Sequence, residues 1–209
     1  MEDRTAKADT TAPEQPGFLR RWMGKLAPDS GSSDPRKLGK WGGIIAGAYL
    51  LIAAAVGVYW SNTPDHFDVR ENATRYAAAT EQDVVTGTTT VATLQETIRI
   101  LLEKPGGYLH NDLFPPGVWL DNMPNWEYGV LVQSRDLARA LREVLSRSQS
   151  QSKEDVDLTL AEPRINFQSK SWILPASESE YRDALRFLEA YRARLAVTGQ
   201  NSAQFYARA

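Results

Sequence analysis

The segment 106–133 concentrates the side chains of this sequence that could do chemistry: GGYLHNDLFPPGVWLDNMPNWEYGVLVQ. Its His110, Asp112, Asp121 and Glu127 are of the types that bind metals or transfer protons. Asp121 and Glu127 are close enough in sequence to form the carboxylate pair of a glycoside hydrolase, and the neighbouring aromatic rings could stack on sugars. The segment therefore has the residue types of an active-site loop.

Loop structure explains the same residues in a different way. Asn and Asp side chains bond to nearby backbone and stabilise turns, and Pro115-Pro116-Gly117 indicates one such turn. The spacing of His110, Asp112 and Asp121 matches no regular metal-ligand pattern, so we predict no metal and no cofactor. We favour a rigid recognition surface without catalytic residues. Its candidate residues are His110, Asn111, Asp112, Asp121, Asn122, Trp126 and Glu127.

Composition restricts the other function classes. The chain of 209 residues has 24 basic and 26 acidic side chains, a net charge of −2, which makes a nucleic-acid partner unfavourable. It has no cysteine, which excludes thiol catalysis, and only two histidines. Neither a nucleophilic-serine motif nor a phosphate-binding glycine loop is present.

The strongest pattern is the uncharged stretch 41–60, WGGIIAGAYLLIAAAVGVYW. At ~1.5 Å rise per residue, a helix of this length spans the ~30 Å of a hydrocarbon core. Trp41 at one end, and Tyr59 and Trp60 at the other, are typical of the two membrane interfaces. Gly43 and Gly47 form a GxxxG pair that could support a homodimer, although glycine also simply fills apolar helices.

The flanks of this stretch predict its orientation. Arg36, Lys37 and Lys40 directly precede it, whereas the first basic residue after it is Arg70. The positive-inside rule then places the N-terminus in the cytoplasm and residues 61–209 in the periplasm of a bacterium. The tail 1–40 is polar and we expect it to be disordered, most clearly at 28–37, which has no apolar residue. Residues 18–26 could instead form an amphipathic helix on the membrane surface, or remain a solvated basic stretch.

Residues 61–209 read as mainly helical, with about four helices. The stretch 89–104 has apolar residues at helical spacing, a long helix is expected from Trp126 to Arg147, and a third helix follows a capping box at 177–180. Residues 156–176 read as extended or irregular, with a short strand. The end 201–209 begins like another helix and has no terminator, so we expect the natural protein to continue.

The run 106–127, followed by SRSQSQSKEDVDL and SWILPASESEY, resembles a family of uncharacterised bacterial membrane proteins, the domain of unknown function with family number 2333. The resemblance covers the chain from about residue 40 to its end. It implies a short cytoplasmic tail, one membrane span and an exposed helical domain. It implies neither an activity nor any catalytic residue.

Together these observations predict a tail at 1–40, a transmembrane helix at 41–60 and a helical, bundle-like periplasmic domain with a long structured loop at 61–209. We expect a non-enzymatic envelope protein of the bacterial inner membrane, a scaffold or interaction module whose partners are the bilayer and other envelope proteins. The alternative is a peptidoglycan-binding or peptidoglycan-hydrolysing domain that uses the 106–128 loop.

Overall fold

The computed structural model describes residues 35–147, 153–199 and 201–206. Its first helix, α1, is Pro35–Trp60, and nearly all of its side chains are exposed. Among the described residues it is the one helix long and apolar enough to cross a membrane. The helix begins six residues before the uncharged stretch 41–60, so residues 35–40 of the tail expected to be disordered are helical. The rest of that segment and the amphipathic stretch 18–26 lie outside the described residues.

The chain divides into two compact units, residues 1–48 and residues 49–209. The described part of the first unit is helical, and a side chain at Gly43 or Gly47 would meet no other atom within 4 Å. The second unit begins with the last turns of α1 and continues into a helical domain. The bounds of its further helices are Val69–Ala78 (α2), Thr88–Glu103 (α3), Asn122–Ala140 (α4), Val156–Ile165 (α5) and Ser177–Leu195 (α6).

This domain is an all-helical bundle in the described residues, as the sequence predicts. Helix α3 packs against α2, α4 and α6, and α5 packs against α4 and α6. The predicted apolar face of α3 is fully buried, because apolar residues recur on it every three or four positions. The core of the bundle includes Leu94, Ile98, Leu101, Leu131, Leu141, Leu158, Ile165, Tyr181, Leu188 and Tyr191.

Two helices were not expected from the sequence. Helix α2 is short, and the side chain of Asp68 caps it by accepting from the N–H groups of Arg70 and Glu71. Helix α5 occupies the first part, 156–165, of the segment predicted to be extended or irregular, and 166–176 is irregular as expected. Asp155 caps its first turn, and Leu158, Ala161 and Ile165 face the core at helical spacing, although Pro163 lies within it. The described part of the domain therefore has five α-helices after α1, where about four were expected.

Two helix ends also differ from expectation. The long helix predicted to reach Arg147 leaves α geometry after Ala140 and ends in a π-helical turn, Leu141–Leu145. The predicted capping box of α6 is wrong, because Ala176 is the N-cap residue, and Ser177 is the buried first residue of the helix whose Oγ donates to the carbonyls of Gln168 and Ser171. Residues 201–206 form no helix, and the N–H of Tyr206 bonds instead to the carbonyl of Leu145.

Candidate functional site

Glu127 organises the loop between α3 and α4. It lies in the second turn of α4, and its side chain has no exposed surface. The carboxylate accepts from the backbone N–H groups of Leu109, at 2.9 and 3.0 Å, and His110, at 2.7 Å. It also forms a buried ion pair with Lys104, which in turn donates to the carbonyl of Gly107. The start of the loop is thus folded around one carboxylate.

The surroundings of Glu127 act on its pKa in both directions. Burial raises the pKa of this carboxyl, while Lys104 and the N–H groups of Leu109 and His110 oppose the rise. A raised pKa is common in a general acid, but such a group must also reach a substrate. Glu127 is enclosed and its oxygens already accept several hydrogen bonds, so its geometry is that of a buried structural anion.

His110 is also held by hydrogen bonds within the loop and the start of α4. Its Nδ1 lies 3.0 Å from the carbonyl of Pro124, which can only accept, so Nδ1 carries a proton and donates. Its ring stacks on Tyr128, with centroids 5.3 Å apart. Its Nε2 is buried and has no hydrogen-bond partner among the described residues. Burial lowers the pKa of His110, because a second proton would place an unpaired donor in the interior.

Asn111 and Asp112 connect the loop to other parts of the domain. The amide of Asn111 donates to the carbonyl of Ser171, at 2.8 Å, and to the carboxylate of Glu178 in α6, at 2.9 Å. Asp112 lies against Gly117, where a Cβ would come within 2.0 Å of its Oδ2. Burial, with a smaller contribution from Glu178, raises the pKa of Asp112. Gly117 is therefore required by close approach.

The other three predicted residues lie at the start of α4. Asp121 occupies the N-cap position, is exposed, and makes no side-chain capping bond. Asn122 is exposed as well, and its amide reaches the carbonyl of Ser61 at 3.4 Å. Trp126 packs against the bundle core and is partly buried. His110, Asn111 and Glu127 therefore take part in hydrogen bonds within the domain, whereas Asp121 and Asn122 are exposed at its surface.

These positions bear on the proposed carboxylate pair. Asp121 is exposed, whereas the side chain of Glu127 has an exposed fraction of 0%. They do not share an open cleft, which a glycoside hydrolase requires of its two carboxylates. Within the described residues, no group of three or more His, Asp or Glu side chains is placed to hold a metal ion.

Sequence reasoning missed two features of the site. Lys104, the partner of Glu127, follows a helix and precedes Pro105, and nothing in that pattern marks it as buried. The other feature is the apolar surface of two neighbouring loops. Their uncharged runs, LFPPGVWL at 113–120 and SWILPA at 171–176, were visible in the sequence. The exposed side chains of these loops are Leu113, Phe114, Val118, Trp119, Trp172, Ile173 and Leu174.

The two loops meet beside the end of α1. The rings of Phe114 and Trp172 pack edge to face with centroids 6.4 Å apart. A recess of about 250 Å³ between them and Trp60 is also lined by Asp112 and Glu178. A larger cleft, of about 860 Å³, lies elsewhere, near the end of α6, and contains none of the predicted site residues.

In the residues that the structure describes, the fold is all-helical, with one apolar helix of membrane-spanning length and a loop whose polar groups stabilise its own structure. The chain belongs to the family described as "uncharacterized protein conserved in bacteria" (DUF2333), whose model matches residues 36–209. No curated protein and no solved structure matches the chain.

Proposed function

We propose that this chain is a non-enzymatic, single-pass protein of the bacterial inner membrane that holds a helical interaction module in the periplasm. The observation that carries the proposal is the state of Glu127. Glu127, a carboxylate whose pKa is raised by burial, has no exposed surface and bonds to Lys104 and to loop N–H groups. The polar residues at the centre of the loop thus stabilise the conformation of the loop.

The membrane anchor is supported by α1. Its length of 26 residues corresponds to ~39 Å at ~1.5 Å per residue, which exceeds the ~30 Å of a hydrocarbon core. Its apolar side chains are largely exposed, which is unfavourable in water and favourable in lipid. The excess of Lys and Arg before the helix favours a cytoplasmic N-terminus and a periplasmic helical domain.

Topology is tested with a reporter enzyme that is active only outside the cytoplasm. Fused after Arg208, the reporter should be active, and fused after Lys37, before the apolar stretch, it should be silent. The reverse pattern would overturn the periplasmic placement. Equal amounts of both fusion proteins, measured by immunoblot, exclude differences in expression.

Catalysis is tested with the full chain in detergent micelles and purified peptidoglycan. We expect no soluble sugar product from the native chain or from Asp121→Asn. Product released by the native chain and abolished in Asp121→Asn, with an unchanged helical circular dichroism spectrum, would support the hydrolase alternative. Asp121 suits this test because it is exposed and makes no capping bond, so its substitution leaves the fold intact.

Glycan binding without hydrolysis is a second candidate, favoured by the exposed rings of Trp119 and Trp172. Such rings could stack on sugars. Co-sedimentation with peptidoglycan that requires both rings, and that persists in the control Val156→Ala, would support it. The interaction-module proposal expects no such dependence. Photo-crosslinking from exposed positions of the domain in intact cells should instead give discrete protein adducts that are missing from the buried position 131.

A further inference from the structure

The last turns of α1 are in direct contact with the loop that precedes α4. A Cβ placed on Gly57 would lie 3.5 Å from Pro116 and 3.8 Å from Leu120, both in ordinary van der Waals contact. Gly57 and Ala53, one turn earlier, are the buried residues of α1. The loop therefore lies alongside the helix at the level of Gly57.

Two further contacts fix this arrangement. The indole of Trp60 lies so close to Gly106 that a Cβ there would come within 2.8 Å of the ring. Gly106 also has a φ of +87°, a conformation that favours glycine. The exposed Asn122 reaches the carbonyl of Ser61 at 3.4 Å.

The depth of the loop follows from the helix geometry. Trp60 ends α1 at the position where interfacial tryptophans reside. Gly57 lies three residues earlier, which is ~4.5 Å along the axis toward the hydrocarbon at ~1.5 Å per residue. Interfacial protein segments bury their apolar faces ~5–10 Å into the boundary between headgroups and acyl chains. A loop in contact with Gly57 reaches that zone.

The side chains on this part of the domain suit such a location. Phe114 is 70% exposed, Trp119 55% and Leu174 91%. The runs 113–120 and 171–176 carry no charge themselves, although Asp112, Asp121 and Lys170 flank them, whereas the exposed Val156 lies directly between Asp155 and Asp157. An uncharged cluster of exposed aromatic and aliphatic side chains indicates a binding surface. Its continuity with the membrane-spanning helix identifies lipid as the occupant.

The backbone of the loop 113–120 also has several groups that do not need water as a hydrogen-bond partner. Pro115 and Pro116 have no N–H group to satisfy. The N–H groups of Val118, Trp119 and Leu120 donate to carbonyls within the loop, at 3.0 to 3.2 Å. Half of the N–H groups of this loop are thus satisfied within it, which lowers the cost of placing it among lipid headgroups.

We propose that the loops 113–120 and 171–176 form a second membrane contact, which inserts into the periplasmic leaflet beside α1 and holds the helical domain against the bilayer. This inference rests on the anchoring role of α1 proposed above. It goes beyond that role because one helix alone would leave the domain free to tilt, whereas a helix and two inserted loops fix its orientation. The domain then presents a defined face to the periplasm.

The test uses the absence of cysteine from the chain, so that single substitutions can carry a nitroxide label. The full-length variants Val118→Cys and Ile173→Cys are labelled and placed in vesicles of equal parts phosphatidylethanolamine and phosphatidylglycerol. Val156→Cys is the matched control, since Val156 and Val118 are both exposed valines, at 62% and 51%. Leu51→Cys, in the middle of the apolar stretch, is the lipid control.

Electron paramagnetic resonance then compares collisions of each label with oxygen, which concentrates in lipid, and with a water-soluble nickel complex. We expect labels at 118 and 173 to favour oxygen, as at 51, and the label at 156 to favour nickel. Nickel access at 118 and 173 with a lipid-exposed label at 51 would overturn the loop contact and leave the anchor intact. Shielding of 118 and 173 from both reagents would overturn it in favour of a protein partner. A water-exposed label at 51 would overturn the anchor and the loop contact together.

A second measurement needs no label. Lipids with brominated acyl chains should quench the tryptophan fluorescence of the chain. The double variant Trp119→Phe and Trp172→Phe should lose part of the quenched emission, while Trp126→Phe, whose ring packs against the bundle core, should retain it. Equal quenching in the double variant and the native chain would contradict insertion of the loops.

Discussion

The loop between α3 and α4 and the core of the bundle are both rigidly held, but by opposite means. The bundle buries apolar side chains such as Leu188 and Ile98, which are 0% and 1% exposed. The loop buries the charges of Glu127 and Lys104 and exposes apolar side chains such as Phe114. Burial of apolar surface is driven by water, whereas a buried ion pair is stable only with nearly complete hydrogen bonding.

The loop buries only part of its apolar surface: Tyr108 and Leu109 near its start are inaccessible, whereas most apolar residues of 113–120 are exposed. Its internal structure depends on one carboxylate and the N–H groups around it, which leaves Leu113, Phe114, Val118 and Trp119 available at the surface. A loop that folds around a buried charge can present an apolar exterior without collapsing. A loop held in this way suits the membrane contact proposed above.

The largest effect is expected from Glu127→Ala. The substitution leaves the ammonium of Lys104 buried without its anion and two N–H groups without an acceptor. Breaking a buried pair in this way costs about 3–5 kcal/mol of unfolding free energy. Urea unfolding of the full chain in detergent micelles, followed by circular dichroism, measures the loss.

A double-mutant cycle sharpens this prediction. Lys104→Met combined with Glu127→Ala should be less destabilised than the sum of the two single variants, because neither then leaves an unpaired buried charge. Additive effects would contradict a buried ion pair as the support of the loop.

A core substitution gives the other side of the comparison. Leu188→Ala in α6 should lower the free energy of unfolding by about 2–5 kcal/mol, through lost apolar burial and the cavity left behind. The double variant Leu188→Ala with Lys104→Met should be additive, since the two sites are supported differently. A coupling above about 0.5 kcal/mol would show instead that loop and core are one network.

Gly117→Ala tests the close packing of the loop on itself. The added methyl group would meet Asp112 Oδ2 at 2.0 Å, so either the carboxylate or the loop must move. Such overpacking typically costs about 1–3 kcal/mol. Asp112→Gly in the same chain removes Oδ2 and also the Cβ, which would lie 2.7 Å from the added methyl group, and should restore part of the lost stability. Failure of this rescue, measured by thermal unfolding, would show that Asp112 is not the obstacle.

The smallest effect concerns the pH dependence that arises from His110. Its pKa is lowered by burial, so between that value and the ordinary value of about 6.5 the unfolded chain binds more protons than the folded one. Stability contributed by the neutral ring is therefore complete above about pH 6.5 and falls as the pH decreases below it. His110→Phe, which can retain the stacking on Tyr128, should reduce this dependence. Equal loss of stability in both proteins between pH 7.5 and 5.5 would assign the dependence to other groups.

Much of the fold could be predicted because the signals are local. The apolar stretch 41–60 and the helical spacing of Val91, Leu94 and Ile98 indicate their structures without reference to any other residue. Prediction failed at α5, where Pro163 and an alternating pattern concealed a helix that is stabilised by an Asp155 cap and by contact with α6. It failed at Ser177 because tertiary carbonyls, those of Gln168 and Ser171, compete for the hydroxyl.

The candidate site was predictable in location but not in arrangement. The sequence identifies the segment 106–127 as the candidate site. In the structure, Glu127 and Asn111 are buried, whereas Asp121 and Asn122 are exposed to solvent. The sequence treats Asp121 and Glu127 as equivalent carboxylates six residues apart. Only the folded chain brings Lys104 and two loop N–H groups to one of them and leaves the other exposed.

The sequence by itself determined the apolar helix and the helical class of the domain, because both depend on composition and on short-range periodicity. It also determined the family, through the resemblance carried by the run 106–127. The tertiary structure alone decided which charges are buried and which apolar side chains stay at the surface. Those outcomes depend on contacts between residues far apart in the chain, such as Asn111 with Glu178 and Pro116 with Gly57. Local sequence patterns do not indicate which distant residues come into contact.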